Sequence, residues 1–254
     1  MDMELDALLA RGREAYRRGD LVKAELALTE ALEKGAGDYA DVHHLLGVVY
    51  HSWGLYSKAR GAFESALRIN PHYTEAALSL SITYNDLGRY TEAQVYQQKL
   101  SQSFKDQTGD KTEMITLRTV VSASQETANT VLALAKTNAD FGSIAQTQST
   151  DLASRQKDGV MDPEPARLLP DNIRAAIADK PAGDEILGPV QVETNWWVFK
   201  IEARDPQGTL SETQKSQLAD LLVKDAVKER RATAKIERDI NSSDYKWAND
   251  NAGK

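Results

Sequence analysis

Four histidines, His43, His44, His51 and His72, are the only imidazoles in the 254 residues. Clustered imidazole is a common metal ligand, so a metal site is the first chemistry to weigh. The spacing argues against it. His43 and His44 are adjacent and point to different sides of a helix, no Asp or Glu forms an HExxH-type pair with them, and His72 follows Pro71 in a turn. The histidines are expected as polar groove or surface residues, with neither metal nor any other cofactor. The absence of cysteine removes thiolate catalysis, disulfides and cysteine-based metal sites together. Arg13 and Arg17 could pair with an acidic peptide, or lie on a solvated helix face beside Glu14 and Asp20.

The elements that would position these groups follow a repeat. Gly19, Gly54 and Gly88 stand 35 and 34 residues apart, each followed two residues on by Leu21, Tyr56 or Tyr90 and five residues on by Ala24, Ala59 or Ala93. Small residues let two antiparallel helices approach, the glycine ends the first helix, and large apolar residues fill the space between neighbouring pairs. Leu46, Gly47, Tyr50, Gly54, Tyr56, Ala59, Phe63, Ala66 and Pro71 keep this phase in the middle copy. The pattern resembles the tetratricopeptide repeat and predicts an all-α solenoid of three helix pairs over residues 1–105. In that family the first helix of each pair lines a peptide groove. The resemblance therefore implies a lining of Leu9, Arg13, Tyr16 and Arg17, then His44, Val48 and His51, then Leu78, Ile82, Asn85 and Asp86. Leu9, His44 and Leu78 stand where part of the family's carboxylate clamp would be, so a chaperone C-terminal carboxylate is not the expected ligand. After Leu100 the apolar period decays into SQSFKDQTGDK, leaving the third repeat in need of a cap from a second domain, a late helix or another copy of the chain.

A net charge of −7 without a dense Lys/Arg run argues against nucleic acid and anionic membranes and leaves protein or extended peptide as the expected partner. No apolar run approaches the roughly 20 residues that span a bilayer. The start, MDMELDALLARGREAY, reads as an acidic amphipathic helix rather than a secretion signal. A cytoplasmic location is expected, or the cell envelope if an upstream signal has been removed.

From residue 112 the chain turns mixed α/β. MITLRTVV (114–121) has strand character, Ser122 with Gln125 reads as a capping box for the helix ETANTVLALAKTNA, FGSIAQTQS is a second short helix, PDNIRAAIA is a helix opened by Pro170, and EILGPVQV with NWWVFKIEA closes a strand pair. An α+β domain over 112–205 follows. Its segments DFGSIAQTQSTD, SRQKDGVMD, LLPDNIRAAI, AGDEILGPVQV and NWWVFKIEAR resemble, in order and spacing, the parvulin (PpiC-like) family of peptidyl-prolyl isomerases. That family sets one histidine in its first strand and one in its last, with an acid or thiol between them and an apolar pocket for proline. The resemblance puts Arg118 and Trp197 at the histidine positions, Asp151 at the acid, Ser149 and Ser154 at small polar neighbours, and Met161 at the turn leucine. Leu168 or Leu169 falls at the pocket methionine, and Asn172 or Ile173 at the pocket phenylalanine. No histidine occurs after His72, so the site is degenerate; Arg118 would add a charge able to pair with Asp151, and Trp197 would add bulk.

Residues 206–254 complete the chain. Ser211 and Gln214 form a capping box for an amphipathic helix reaching about Asp239, with Lys224, Lys228, Arg230, Arg231, Lys235 and Arg238 on a basic face, and Tyr245 and Trp247 follow in an irregular end. Three functions fit these parts: a peptide-binding, chaperone-like adaptor whose parvulin-like module lacks catalysis; an active prolyl isomerase targeted by its repeats; or a scaffold whose back half caps or oligomerises the chain.

Overall fold

A computed structural model describes residues 3–137 and 139–237. The expected anchors Tyr245 and Trp247, and Arg238, lie outside them. The chain forms two compact units, one made of the chain up to Phe104 together with the chain from Leu222, the other of Lys105–Leu221.

The first unit contains α1 (Met3–Arg17), α2 (Leu21–Glu33), α3 (Ala40–Ser52), α4 (Tyr56–Ile69), α5 (Thr74–Asp86) and α6 (Tyr90–Gln107), whose end passes into the second unit. These are three tetratricopeptide helix pairs. Gly19, Gly54 and Gly88 adopt φ of +76°, +73° and +73°, the left-handed conformation that stops the first helix of each pair. The alanines in phase with them, Ala24, Ala59 and Ala93, are at most 1% exposed. Gly47 lets α3 rest on α4, since a Cβ there would sit 2.5 Å from the Phe63 ring. The third pair departs from the pattern at Tyr90, which is 69% exposed instead of filling an inter-repeat space.

Among the six helices, α5 has no open side in its middle. Ser79, Leu80, Ser81, Ile82, Thr83 and Tyr84 are all buried. Six consecutive buried residues span more than a full turn. Two of the four hydroxyls among them are satisfied inside the helix, Ser81 Oγ donating to the Leu78 carbonyl at 2.9 Å and Thr83 Oγ1 to that of Ser79 at 2.7 Å, and Tyr84 OH donates to Glu64 on α4 at 2.7 Å.

The second unit is built on one sheet ordered β2 (Glu164–Pro165), β1 (Lys111–Ser122), β4 (Asn195–Thr209), β3 (Leu187–Val192), every pair antiparallel. On one face Val120 and Val198 pack against α7 (Gln125–Ala135) and α8 (Phe141–Gln148) through Val131, Phe141 and Ile144. On the other, Leu117, Phe199 and Ile201 pack against α10 (Asp171–Ile177) through Ile173 and Ile177. The N-cap of α7 is Ser124, which accepts from Thr127 N at 3.2 Å, not the expected Ser122, which ends β1 as a buried residue. A one-turn helix, α9 (Leu152–Arg155), follows α8.

The last helix, α11 (Glu212–Glu237), starts in the second unit and ends in the first. Its expected capping box is formed reciprocally: Gln214 N donates to Ser211 Oγ at 3.2 Å, and Ser211 N to Gln214 Oε1 at 3.0 Å. Leu218 then packs with Met114, Leu210 and Leu168.

Candidate functional site

Strand register decides which side chains share the face beneath α10. Val121 pairs with Trp197 and Thr119 with Phe199, whereas Arg118 pairs with Lys200. Directly paired residues share a face and neighbours alternate, so Thr119, Val121, Trp197 and Phe199 lie together while Arg118 lies on the reverse side. The one irregularity nearby falls between Thr116 and Leu117, before this stretch. Arg118 and Trp197 are therefore not brought together, and the first-strand residue facing the same way as Trp197 is Thr119.

Arg118 has other work. Its Nε and NH2 donate to the two Glu202 carboxylate oxygens at 2.8 and 3.2 Å, and its NH1 to the Asp158 carbonyl at 3.2 Å. This forked pair holds the Glu202 carboxyl below the usual range and raises the Arg118 guanidinium. Asp151, expected as the partner of Arg118, instead caps α9, with Oδ2 accepting from Ser154 N at 2.9 Å. Hydrogen bonding to Ser154 keeps its carboxyl below the ordinary value, with partial burial opposing.

The small polar neighbours are spent on backbone. Ser149 is 3% exposed, and its Oγ accepts from Val121 N at 3.1 Å and Asp151 N at 3.3 Å. The Ser154 carbonyl accepts from Gly159 N at 2.7 Å, and the Gly159 carbonyl from Thr119 N at 2.8 Å. Gly159 makes this close approach possible. Its φ is +84°, and an added Cβ would lie 2.8 Å from the Thr119 carbonyl oxygen and 2.7 Å from Ala145 Cβ. Thr119 is fully buried beneath, its Oγ1 with no hydrogen-bond partner among the described residues.

The apolar residues divide between two clusters. Met161, Leu169, Ile173 and Trp197 pack in one cluster with Phe199. Of the adjacent pairs Leu168/Leu169 and Asn172/Ile173, Leu169 and Ile173 lie in this cluster. Leu168 points instead to Met114, Leu210 and Leu218, and Asn172 Nδ2 donates to the Gln191 carbonyl at 2.8 Å. Met161, Leu187, Val190 and Trp197 keep part of their surface in solvent.

In the repeats, several residues expected to face a ligand join neighbouring helices instead. His51 is 7% exposed, and its Nε2 lies 2.9 Å from Asp86 Oδ2 on α5. His44 bonds Ser79 Oγ through Nε2 and Tyr73 OH through Nδ1, each at 3.2 Å. Burial, then nearby Arg230, push its pKa down to about 4, against an opposing pull from Asp41. Leu9 and Ile82 are buried, Tyr16 packs between two core clusters, and Leu78 is half-buried. Asn85 Nδ2 donates to the Ser81 carbonyl at 3.3 Å. Arg13 pairs with Asp41, and Arg17 with Glu14 at 2.9 Å. No spacing signal in the sequence places the basic end of α11 in this region, where Arg231 NH2 lies 3.2 Å from Asp86 Oδ1.

The fold is a run of tetratricopeptide-type helix pairs followed by a parvulin-like α+β domain. The family model described as a PPIC-type PPIase domain matches residues 91–203, and a tetratricopeptide repeat model matches residues 9–74 and 54–103. The chain joins the two modules, and their matches overlap within α6. Among solved structures it is similar to peptidylprolyl isomerase PrsA of Bacillus anthracis, with 12% identity, 74% of this chain and 97% of that chain covered, and a TM-score of 0.41. It is similar also to foldase protein PrsA of Streptococcus pneumoniae, with 12% identity, 85% and 92% covered, and a TM-score of 0.40. A SurA-like chaperone of Campylobacter jejuni aligns at 16% identity, 77% and 84% covered, and a TM-score of 0.34. No curated protein sequence matches the chain. Among the described residues no helix is long and apolar enough to cross a membrane.

Proposed function

We propose that this protein is a chaperone-like adaptor: its repeats dock a protein partner, and its isomerase-type module holds extended polypeptide without isomerising it. The observation that carries the reading is Thr119. It occupies the first-strand position on the Trp197 face, yet it is fully buried. Rotation about an Xaa-Pro bond must cross a barrier of roughly 18–20 kcal/mol set by amide resonance, and an enzyme lowers it only by binding the twisted amide better than the planar one. The polar groups available for that differential binding are engaged elsewhere. Ser149 serves the backbone, Asp151 caps α9, and Arg118 is on the reverse face. Met161, Leu187, Val190 and Trp197 are left as partly exposed apolar surface, suited to retaining a chain segment by area of contact.

The PPIC-type match over residues 91–203 favours one other reading, an active isomerase. A desolvating apolar face alone can assist rotation. Measuring cis-to-trans conversion of a short Xaa-Pro peptide separates the two. The expected catalytic efficiency lies far below the ordinary range of about 10⁴–10⁸ M⁻¹s⁻¹, and a value within tenfold of that range would establish the isomerase. Holding is checked by the full chain's suppression of aggregation of a denatured client, which Trp197→Ala should weaken.

A further inference from the structure

We propose that residues 222–237 are a displaceable internal ligand of the repeat groove, and that the partner this groove takes in trans is a basic amphipathic helix of the same kind. The inference rests on reading the repeats as a docking surface and names what docks.

Three observations lead there. Asp86, at the end of α5, is 16% exposed, and its carboxylate faces His51 Nε2 on one oxygen and Arg231 on the other. The groove thus presents a sheltered anion to an arriving cation. The segment of α11 in this unit carries five basic residues, Lys224, Lys228, Arg230, Arg231 and Lys235, against three acidic ones, Asp225, Glu229 and Glu237. Finally, Val223, Ala226, Val227 and Arg230 are shielded from solvent while Lys224, Asp225, Lys228 and Glu229 are exposed. The shielded set is spaced i, i+3, i+4, i+7, one stripe of a helix. At its end Arg230 is close enough to His44 to oppose imidazole protonation.

The hold is light. Arg231 remains 48% exposed, so water screens its pair with Asp86. The stripe offers one valine fully buried and three side chains half-buried. A segment held this way by tethering more than by contact is displaced by a competitor with a longer apolar stripe and the same terminal arginine pair.

The test uses the full chain and a fluorescein-labelled peptide of residues 222–237. The double variant Arg230→Glu with Arg231→Glu should release the internal segment, and the labelled peptide should then bind about tenfold or more tightly than to the unaltered chain. Adding Asp86→Asn should reverse that gain, and a peptide with both arginines changed to glutamate should not bind. Amide exchange in α5 gives a second readout: faster in the double variant, slowed again by the peptide. Equal binding to both chains, or α5 exchange unchanged in the double variant, would overturn the proposal. So would light scattering that finds the unaltered chain as a dimer exchanging α11 between copies. A chain that protects a denatured client yet fails these tests keeps the holding function and loses only this inference.

Discussion

Acidification should loosen the repeat unit through His44. In the folded chain its pKa is about 4, against an ordinary value of 6.5. A base whose folded pKa is depressed is protonated first in the unfolded chain, so its stabilising contribution is complete above about 6.5, falls with pH, and is exhausted below about 4. With those two values, the population of protonated unfolded chain costs roughly 2 kcal/mol between pH 7 and pH 5. Carboxylates also titrate toward the lower end, so the assay compares the parent with His44→Gln, whose amide can still reach Ser79. Thermal unfolding of both at pH 7 and pH 5 should show the parent losing more, and the imidazole NMR shift of His44 should titrate well below the ordinary value of 6.5. A His44 titration near 6.5, with the same pH dependence in parent and variant, would refute the reasoning.

Gly159→Ala should destabilise by roughly 2–4 kcal/mol, combining a left-handed backbone with contacts below 3 Å, whereas Gly61→Ala, where nothing lies within 4 Å in the middle of α4, should stabilise by about 0.5–1 kcal/mol; thermal melts of the two check the opposed signs. Phe63→Ala, removing a ring that is 1% exposed, should cost about 3–5 kcal/mol. His51→Ala should cost stability as well as any partner affinity, because the ring is buried against Asp86; a variant with unchanged melting and weaker binding would restore His51 to an open groove. Arg118→Ala should lower the melting temperature through loss of the Glu202 pair, worth about 1 kcal/mol at this exposure, and leave client retention unchanged.

The parts of this fold legible in the sequence are those encoded over short range. The glycine period marks where each first helix must stop, and Ser211 with Gln214 announces α11 because a capping box is a contact between residues three apart. Long-range placement was harder. In the first strand a slip of one residue carries a side chain through the sheet, so Arg118 and Thr119, neighbours in sequence, face opposite sides and only Thr119 shares the face of Trp197. Leu168 and Leu169 are adjacent and equally apolar; only the neighbours Leu218 and Ile173, far off in sequence, assign them to different clusters. The histidines misled for a similar reason. A groove position in one repeat is open only if nothing later in the chain fills it, and His51 could not signal that Asp86 would meet both its ring and Arg231.

The burial of α5 on every side has a consequence for the order in which the chain is made. The repeats up to Phe104 emerge first, and 117 residues, 105–221, follow before the segment that completes their unit. At a synthesis rate of about 5–20 residues per second, the interval is roughly 6–24 s. Throughout it the nascent repeats present Asp86 without its Arg231 partner, to whatever basic helix is near. The earliest occupant of the groove is therefore chosen by synthesis, and the mature chain's own helix must arrive as the competitor.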